Sequence, residues 1–277
     1  MQLKGHISIT RGYGLFIIWW IAAGTCFYFP GNFKKFDVTI NITIRICYIP
    51  AVIKIITTKR NKNSGGIAIK IAVVCANGKA GKLIVKEAAA RGLDITAVVR
   101  EKNRTEAQNV LTKDLFDLMA ADLKGFDVVI DAFGAWGADT LPQHSTSLQH
   151  LCNILSGTET RLLVVGGAGS LYVNPGHTAC VADGPDFPDA FKPLAAAMAK
   201  ALTELRRRQD VRWTYLSPAG DFQADGARTG SYILGGEELT LNSKGESIIS
   251  YADYAIAMVD EATKGNHIRQ RISVVAE

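Results

Sequence analysis

The chain has 277 residues, of which 48% are hydrophobic and 21% charged, a composition typical of a globular protein and not of a disordered one. Its net charge of +5 is uneven: residues 1–69 carry nine lysines and arginines against Asp37 alone, which leaves 22 basic and 25 acidic residues in 70–277. That mildly acidic part gives no electrostatic support for nucleic-acid binding, and five scattered cysteines without a CxxC pattern argue against a zinc site or a disulfide framework.

Residues 1–69 differ from the rest of the chain, with fifteen isoleucines and no glutamate. Residues 14–29 form an uncharged apolar run with basic flanks, but they fall short of the roughly 18–20 residues that span a bilayer. Three interpretations remain open: a short membrane anchor, a secretory signal without an A-x-A cleavage site, and an extension unrelated to the fold, translated from upstream of the true start. We favour the extension. Alternating apolar residues predict a strand over 38–46, and a polar junction follows at 59–66.

Residues 70–100 predict a strand, a glycine-bearing turn, a helix and a second strand. The apolar run 71–74 is typical of a parallel strand buried on both faces, and apolar residues recur at helical spacing over 83–89 before Gly92. A βαβ unit of this kind binds a dinucleotide pyrophosphate at the N-terminus of its helix. The turn itself departs from the GxxGxxG pattern, because Cys75 replaces the first glycine.

Strands and helices alternate regularly after this unit. We predict strands ending near 113 and over 126–133, 161–166, 211–216, 247–250 and 268–275, and helices over 117–124, 142–156, 189–208 and 251–263, with a glycine-rich stretch at 226–236. This order predicts an α/β fold, a Rossmann-type doubly wound parallel sheet forming a single domain over 70–277. Residues 1–69 are then an N-terminal extension.

Seven motifs follow one another in an order that carries more information than any of them alone. They are CANGKAG (75–81), AVVR (97–100), DLFDL (114–118), DVVIDAFG (127–134), LLVVGGAGSLYV (162–173), WTYLSPAGDF (213–222) and SYADYAIAMVDE (250–261). Together they resemble the atypical short-chain dehydrogenase/reductase superfamily, and within it the NAD(P)H-binding group related to NADH-flavin reductases and to flavin reductases of the biliverdin-reductase-B type. The resemblance covers 70–277, whereas residues 1–69 match nothing in that family.

The resemblance implies a cofactor site. It places the pyrophosphate at Asn77, Gly78, Lys79 and Ala80, the adenine beside Asp114 and Leu115, the switch-point contacts at Ala132, Phe133 and Gly134, and the nicotinamide end at 217–219. Arg100 stands where NAD-specific relatives carry an acid, and Arg104 follows one turn later. Because guanidinium pairs bidentately with phosphate, we expect NADP(H) to be preferred over NAD(H). The alternative is a pair of solvated surface arginines.

Cys75 has two interpretations. One is a redox-sensitive thiol whose pKa is lowered at a helix N-terminus. The other, which we favour, is a tolerated small residue that weakens cofactor binding. If the position requires a positive φ, a cysteine there costs about 1–2 kcal/mol.

Classical members of this superfamily use a serine, a tyrosine and a lysine for catalysis, and this set is incomplete here. Ala196 occupies the place of the tyrosine that serves as general acid, although Lys200 stands near the place of the lysine and Ser170, with Tyr172 beyond it, near that of the serine. Ser170 is therefore a weak candidate for a substrate-orienting hydroxyl, against a plain loop serine. The histidines His144, His150 and His177 could face the pocket, but we interpret each as a surface polar group, because no carboxylate or cysteine partner stands at ligand spacing. No metal site is expected.

The missing tyrosine favours chemistry that requires little from the protein, such as hydride transfer from NADPH to a stacked flavin or quinone. We predict a cytoplasmic oxidoreductase acting on a small-molecule hydride acceptor, with FMN as a candidate substrate. The main alternative is a non-catalytic dinucleotide sensor, and a nucleotide-sugar epimerase fits less well because it uses the missing tyrosine. Membrane contact is expected only if residues 14–29 are a real anchor.

Overall fold

The computed structural model describes the backbone of residues 7–12 and 15–20 and, in full, residues 69–265 and 267–277. Near the N-terminus, β1 (Ile7–Gly12) pairs antiparallel with β2 (Leu15–Trp20). The rest of the apolar run 14–29 and the predicted strand 38–46 lie outside the described residues. Within the described part of the chain, no helix is long and apolar enough to cross a membrane.

The C-terminal unit is built on one large sheet with a small one beside it. Its strands are β3 (Lys70–Val74), β4 (Asp94–Val99), β5 (Asn109–Thr112), β6 (Val128–Asp131), β7 (Arg161–Val165), β8 (Arg212–Ser217), β9 (Asp221–Gln223), β10 (Ile233–Gly235), β11 (Ile248–Ser250) and β12 (Gln270–Val275). The large sheet has the order β10-β12-β8-β7-β6-β3-β4-β5, and every neighbouring pair is parallel except β10 with β12 at one edge. β9 and β11 form a separate parallel pair.

Helices cover both faces of this sheet. They are α1 (Lys79–Ala90), α2 (Gln143–Ile154), α3 (Lys192–Leu205) and α4 (Tyr251–Lys264). α1 packs with α4 over one face, and α2 packs with α3 over the other. Alternate residues of β3 join the two cores, Ile71 and Val73 on the α1 side and Ala72 and Val74 on the α2 side. Burial on both faces explains why residues 71–74 of β3 are all apolar. The strand order and the helices on both faces confirm the predicted doubly wound Rossmann-type sheet.

Two element predictions are wrong in detail. The helix predicted over 117–124 is absent. A 3-10 helix (Leu115–Asp117), capped at its N-terminus by Asp114, ends where that range begins, and turns follow it, in which the Asp122 carboxylate accepts from the Met119 N–H. The helix predicted over 189–208 is shorter, since a 3-10 helix (Asp189–Phe191) precedes α3 and Pro193 occupies the first turn of α3. The glycine-rich stretch 226–236 contains β10, a strand too short to show a periodic pattern.

Candidate cofactor site at the switch point

The crevice for a ligand lies where the strand order reverses. β3 pairs with β4 on one side and with β6 on the other, so the chain leaves β3 in one direction and later returns on the opposite side. In open α/β sheets, ligands bind outside the carboxyl ends of the strands at such a point. The turn after β3, the loop after β4 and the loop after β6 all emerge at this edge. They carry the predicted pyrophosphate, 2′-phosphate and switch-point residues.

The turn after β3 is tight and takes its shape from the backbone. Cys75 has φ +58°, in the left-handed region, so the sequence position that ordinarily holds glycine does require a positive φ. The Gly78 N–H donates to the Cys75 carbonyl at 2.9 Å and closes the turn. A Cβ on Gly81 would lie 2.8 Å from that same carbonyl oxygen and 2.9 Å from two backbone atoms of Ala76. Only a glycine at position 81 lets α1 approach β3 this closely.

The N-terminus of α1 is open to an anion. Its N-cap is Gly78, no side chain caps it, and its first turn contains no acidic residue. The first N–H groups of a helix have no intrahelical acceptor and carry a partial positive charge. Lys79 and Ala80 lie in this turn, as predicted, whereas the Gly78 N–H is already engaged with Cys75. Backbone N–H groups with space for close approach fit the pyrophosphate of a dinucleotide.

The side chain of Asn77 links this turn to the loop after β4. Its Nδ2 donates to the Lys102 carbonyl at 3.0 Å, and its Oδ1 accepts from the Arg104 N–H at 2.8 Å. The motif predicts backbone contacts for Asn77, and the structure adds this side-chain role. The position of the arginine-bearing loop is therefore fixed relative to the pyrophosphate turn.

Arg100 and Arg104 are both exposed on that loop. The Arg100 side chain is 78% exposed, and its Nε lies 3.9 Å from an Asp114 carboxylate oxygen. Arg104 lies 3.5 Å from Glu101. Ion pairs this exposed and this long contribute little to stability, so both guanidinium groups are available to a phosphate. Leu115, next to Asp114, is buried in the core below and supports the loop expected beside the adenine.

The loop after β6 forms the other wall. The Ala132 N–H donates to the Val74 carbonyl at 3.1 Å, which joins this loop to the end of β3. Ala132 and Phe133 are half-buried, the Phe133 ring packs edge-on against His144 with centroids 5.5 Å apart, and Gly134 is exposed. A Cβ on Gly134 would meet nothing within 4 Å. The predicted switch-point residues therefore lie together at this edge of the sheet.

The partial burial of Cys75 argues against a redox-sensitive thiol. Desolvation, with a smaller contribution from the charge of Asp131, raises the pKa of the Cys75 thiol to about 12. The thiol is protonated at neutral pH and is a poor nucleophile, because reactivity belongs to the thiolate. Loss of hydration therefore favours the interpretation of Cys75 as a tolerated small residue over that of a redox-sensitive thiol.

Asp131 is a buried acid that the sequence motifs do not identify as part of the site. It ends β6, and its Oδ1 accepts from the Phe133 N–H at 3.0 Å. Burial raises the pKa of its carboxyl to about 6. A cavity of about 20 Å³, roughly the size for one water molecule, lies between Asp131, His144, Ser147 and Tyr215. The aspartate within an otherwise apolar strand (DVVIDAFG) is the signal that could have identified it.

The candidate catalytic residues have different surroundings. The Ser170 hydroxyl and carbonyl both accept from the buried Arg271 guanidinium, at 3.0 and 2.7 Å. Lys200 is exposed on α3, with its Nζ 3.9 Å from Glu204, in the environment of a solvated surface lysine. Because Arg271 donates to the Ser170 oxygen, the hydroxyl hydrogen of Ser170 remains available for another acceptor.

The three histidines considered as pocket residues each have a local partner. The contacts are His144 Nε2 with the Ala135 carbonyl at 3.0 Å, His150 Nε2 with the Leu118 carbonyl at 3.0 Å, and His177 Nε2 with Glu238 at 2.9 Å. The prediction of a surface group is wrong for His144, which is buried behind Phe133 because its Nε2 finds a backbone partner there. Burial lowers its pKa, so its imidazole is neutral at physiological pH.

Comparisons with known proteins agree with this geometry. The family described as NAD(P)H-binding matches residues 75–264. The uncharacterized protein YwnB of Bacillus subtilis strain 168 is 45% identical over 213 residues, which are 76% of this chain and 99% of that protein. A crystal structure from Streptococcus pneumoniae TIGR4, provisionally designated an NADH-flavin reductase, is 55% identical with a TM-score of 0.74 and covers 76% of this chain and 100% of its own. A Burkholderia pseudomallei protein provisionally described as exported is 38% identical, with a TM-score of 0.65, covering 75% of this chain and 99% of its own.

Proposed function

The chain belongs to this NAD(P)H-binding family, and from that membership we propose that it is an oxidoreductase that transfers hydride from NADPH to a flavin or quinone-like acceptor. The observation that carries the proposal is the cradle of residues 75–81. It combines an uncapped helix N-terminus with glycines at positions 78 and 81 that bring the helix close to the strand. The Streptococcus pneumoniae relative, provisionally designated an NADH-flavin reductase, supports the same reaction class.

The preference for NADPH rests on Arg100 and Arg104. Both are exposed on the loop after β4, where the ribose of a dinucleotide is recognised. A 2′-phosphate would meet two guanidinium groups, each able to make bidentate hydrogen bonds. Asn77 holds the backbone of Lys102 and Arg104, so Arg104 is positioned relative to the helix N-terminus proposed for the pyrophosphate.

The class of hydride acceptor is inferred from the missing tyrosine and from the Ser170 hydroxyl. Ala196 supplies no phenol to protonate an alkoxide, so reduction of a simple ketone has no general acid at that position. A dihydronicotinamide delivers a hydride, and a flavin or quinone needs mainly to be held in contact with it, its proton coming from water. The Ser170 hydroxyl, with its oxygen held by Arg271, can donate a hydrogen bond that orients such an acceptor.

The experiment measures NADPH and NADH oxidation by the full chain with FMN or a quinone as acceptor. We expect turnover with NADPH, and we expect Arg100→Ala combined with Arg104→Ala to lower the NADPH-over-NADH ratio of kcat/KM by about tenfold or more. Arg207→Ala, an exposed arginine just after α3, is the matched control. Tight NADPH binding without turnover on any acceptor would favour the sensor alternative, and an unchanged coenzyme ratio would refute the role of the two arginines.

A further inference from the structure

Two aromatic side chains are left in solvent beside the cofactor crevice. Trp136 is 70% exposed, the most exposed large apolar side chain among the described residues, and Phe191 is 48% exposed. Their ring centroids lie 6.4 Å apart with an interplanar angle of 73°. An edge-to-face pair leaves one broad face of a ring free for a third ring. Exposed apolar surface of this kind marks a binding site more often than a scattered single residue does.

The position of the pair in the fold places it on the nicotinamide side of the crevice. Trp136 follows the carboxyl end of β6 by five residues, and Phe191 belongs to the segment that follows β7 and leads into α3. β6 and β7 are parallel neighbours, so both segments emerge at the same edge of the sheet. Arg100 follows β4, on the opposite side of β3. A dinucleotide laid across this edge with its 2′-phosphate at Arg100 would have its reactive ring toward Trp136 and Phe191.

The exposure of Trp136 does not come from a loose loop. The preceding carbonyl, that of Ala135, contacts His144 Nε2 at 3.0 Å. The following residue, Gly137, accepts at its carbonyl from the N–H groups of Thr140 and Leu141 at 2.9 and 3.0 Å. The Phe191 N–H likewise donates to the Pro188 carbonyl at 2.9 Å. Both rings are therefore held on fixed backbone, which lowers the entropy cost of binding a rigid ligand.

We propose that Trp136 and Phe191 form the stacking surface for the hydride acceptor, and that this acceptor is a planar fused-ring molecule of the flavin class. The inference rests on the proposed function, because it names the ligand of the same site. Trp136 lies three residues after Phe133 in the loop that forms the cofactor wall, and exposed Gly134 and buried Ala135 separate the two. In the reaction NADPH loses a hydride and is oxidised, the flavin accepts that hydride and a proton from water, and no other reactant is needed.

The first experiment is steady-state kinetics of the full chain at saturating NADPH with FMN varied. Trp136→Ala is expected to raise the KM for FMN about tenfold, the effect of losing one stacked aromatic ring, and to leave the dissociation constant of NADPH within about twofold. Trp136→Phe should restore most of the affinity, and Phe191→Ala should weaken it less than Trp136→Ala. Val110→Ala, which truncates an exposed apolar residue on edge strand β5, is the matched control.

A binding measurement separates this inference from the proposed function. FMN is titrated into the protein loaded with NADP⁺, and its fluorescence quenching is followed without turnover. If FMN fluorescence is quenched by the unaltered chain and not by Trp136→Ala, the stacking surface is supported. Absence of turnover in every variant would contradict the proposed reaction but not the stacking surface. Unchanged FMN affinity in Trp136→Ala overturns the inference. An equal loss of NADPH affinity in Trp136→Ala also overturns it, because the rings would then contact the cofactor. A change of oligomeric state with unchanged FMN affinity overturns it as well, because the rings would then contact a second copy of the chain.

Discussion

Replacing Gly81 by alanine tests whether the close approach of α1 to β3 builds the cofactor site. Gly81 is the third residue of α1, and an added Cβ would stand 2.8 Å from the Cys75 carbonyl oxygen and 2.9 Å from the Cα and carbonyl oxygen of Ala76. All three atoms belong to the backbone of the turn. No side-chain rotation can relieve the contact, so the first turn of the helix must move away from the strand.

The size of the effect follows from opposing contributions. To reach the 3.4 Å at which ordinary contact begins, the helix must retreat by several tenths of an ångström. Overpacking of this kind costs about 1–3 kcal/mol, whereas alanine in place of glycine stabilises a helix by about 1 kcal/mol. We expect Gly81→Ala to lower the free energy of unfolding by only about 1 kcal/mol. The displaced N–H groups should weaken NADPH binding much more, by tenfold or more, because positioning errors of this order disable a preorganised site.

The assay combines urea unfolding with calorimetric titration of NADPH. Gly236→Ala is the control, because that glycine has no neighbour within 4 Å of an added Cβ and no positive φ. It should change neither quantity. A Gly81→Ala protein that binds NADPH as tightly as the unaltered chain would show that the helix N-terminus does not set cofactor affinity, and the cradle argument would fail.

Three further variants test neighbouring parts of the site. Because Cys75 has φ +58°, Cys75→Gly should be more stable to urea than Cys75→Ala by about 0.5–1 kcal/mol. Equal urea midpoints for the two variants would show that the positive φ costs no stability at this position. Asn77→Ala removes two hydrogen bonds that hold the loop of Arg104, so the ratio of NADP⁺ to NAD⁺ affinity should fall. An unchanged ratio would show that the position of this loop does not determine coenzyme preference. Burial raises the pKa of Asp131 to about 6 from 3.8, so its contribution to stability is present below about pH 4 and is lost as the pH rises to about 6. Asp131→Asn should abolish that loss, about 3 kcal/mol. The measurement is the free energy of unfolding at pH 4 and at pH 7.5; if it changes by the same amount in the variant and in the unaltered chain, another group causes the pH dependence.

The sheet could be predicted from sequence because the first buried strand is a continuous apolar run, 71–74, and short strands alternate with segments of helical apolar periodicity. The turn of the site could be predicted where the close approach of two backbones requires a residue without a Cβ, as at Gly81. Contacts between distant side chains could not: Trp136 meets Phe191 across 55 positions, and Arg271 reaches Ser170 across 101. The helix predicted over 117–124 is absent because the Asp122 side chain accepts from the Met119 N–H, a local hydrogen bond that apolar periodicity does not reveal.

The departure from the glycine pattern at Cys75 separates two requirements that glycine usually meets together. One is a positive φ, which a small side chain can adopt at a cost of about 1–2 kcal/mol. The other is absence of a Cβ where backbones touch, which no other residue can supply. Position 75 imposes the first requirement, with φ +58°, and position 81 imposes the second, with three backbone atoms within 2.9 Å of a would-be Cβ. A chain can therefore lose the first glycine and keep the cradle, whereas losing the third would remove it.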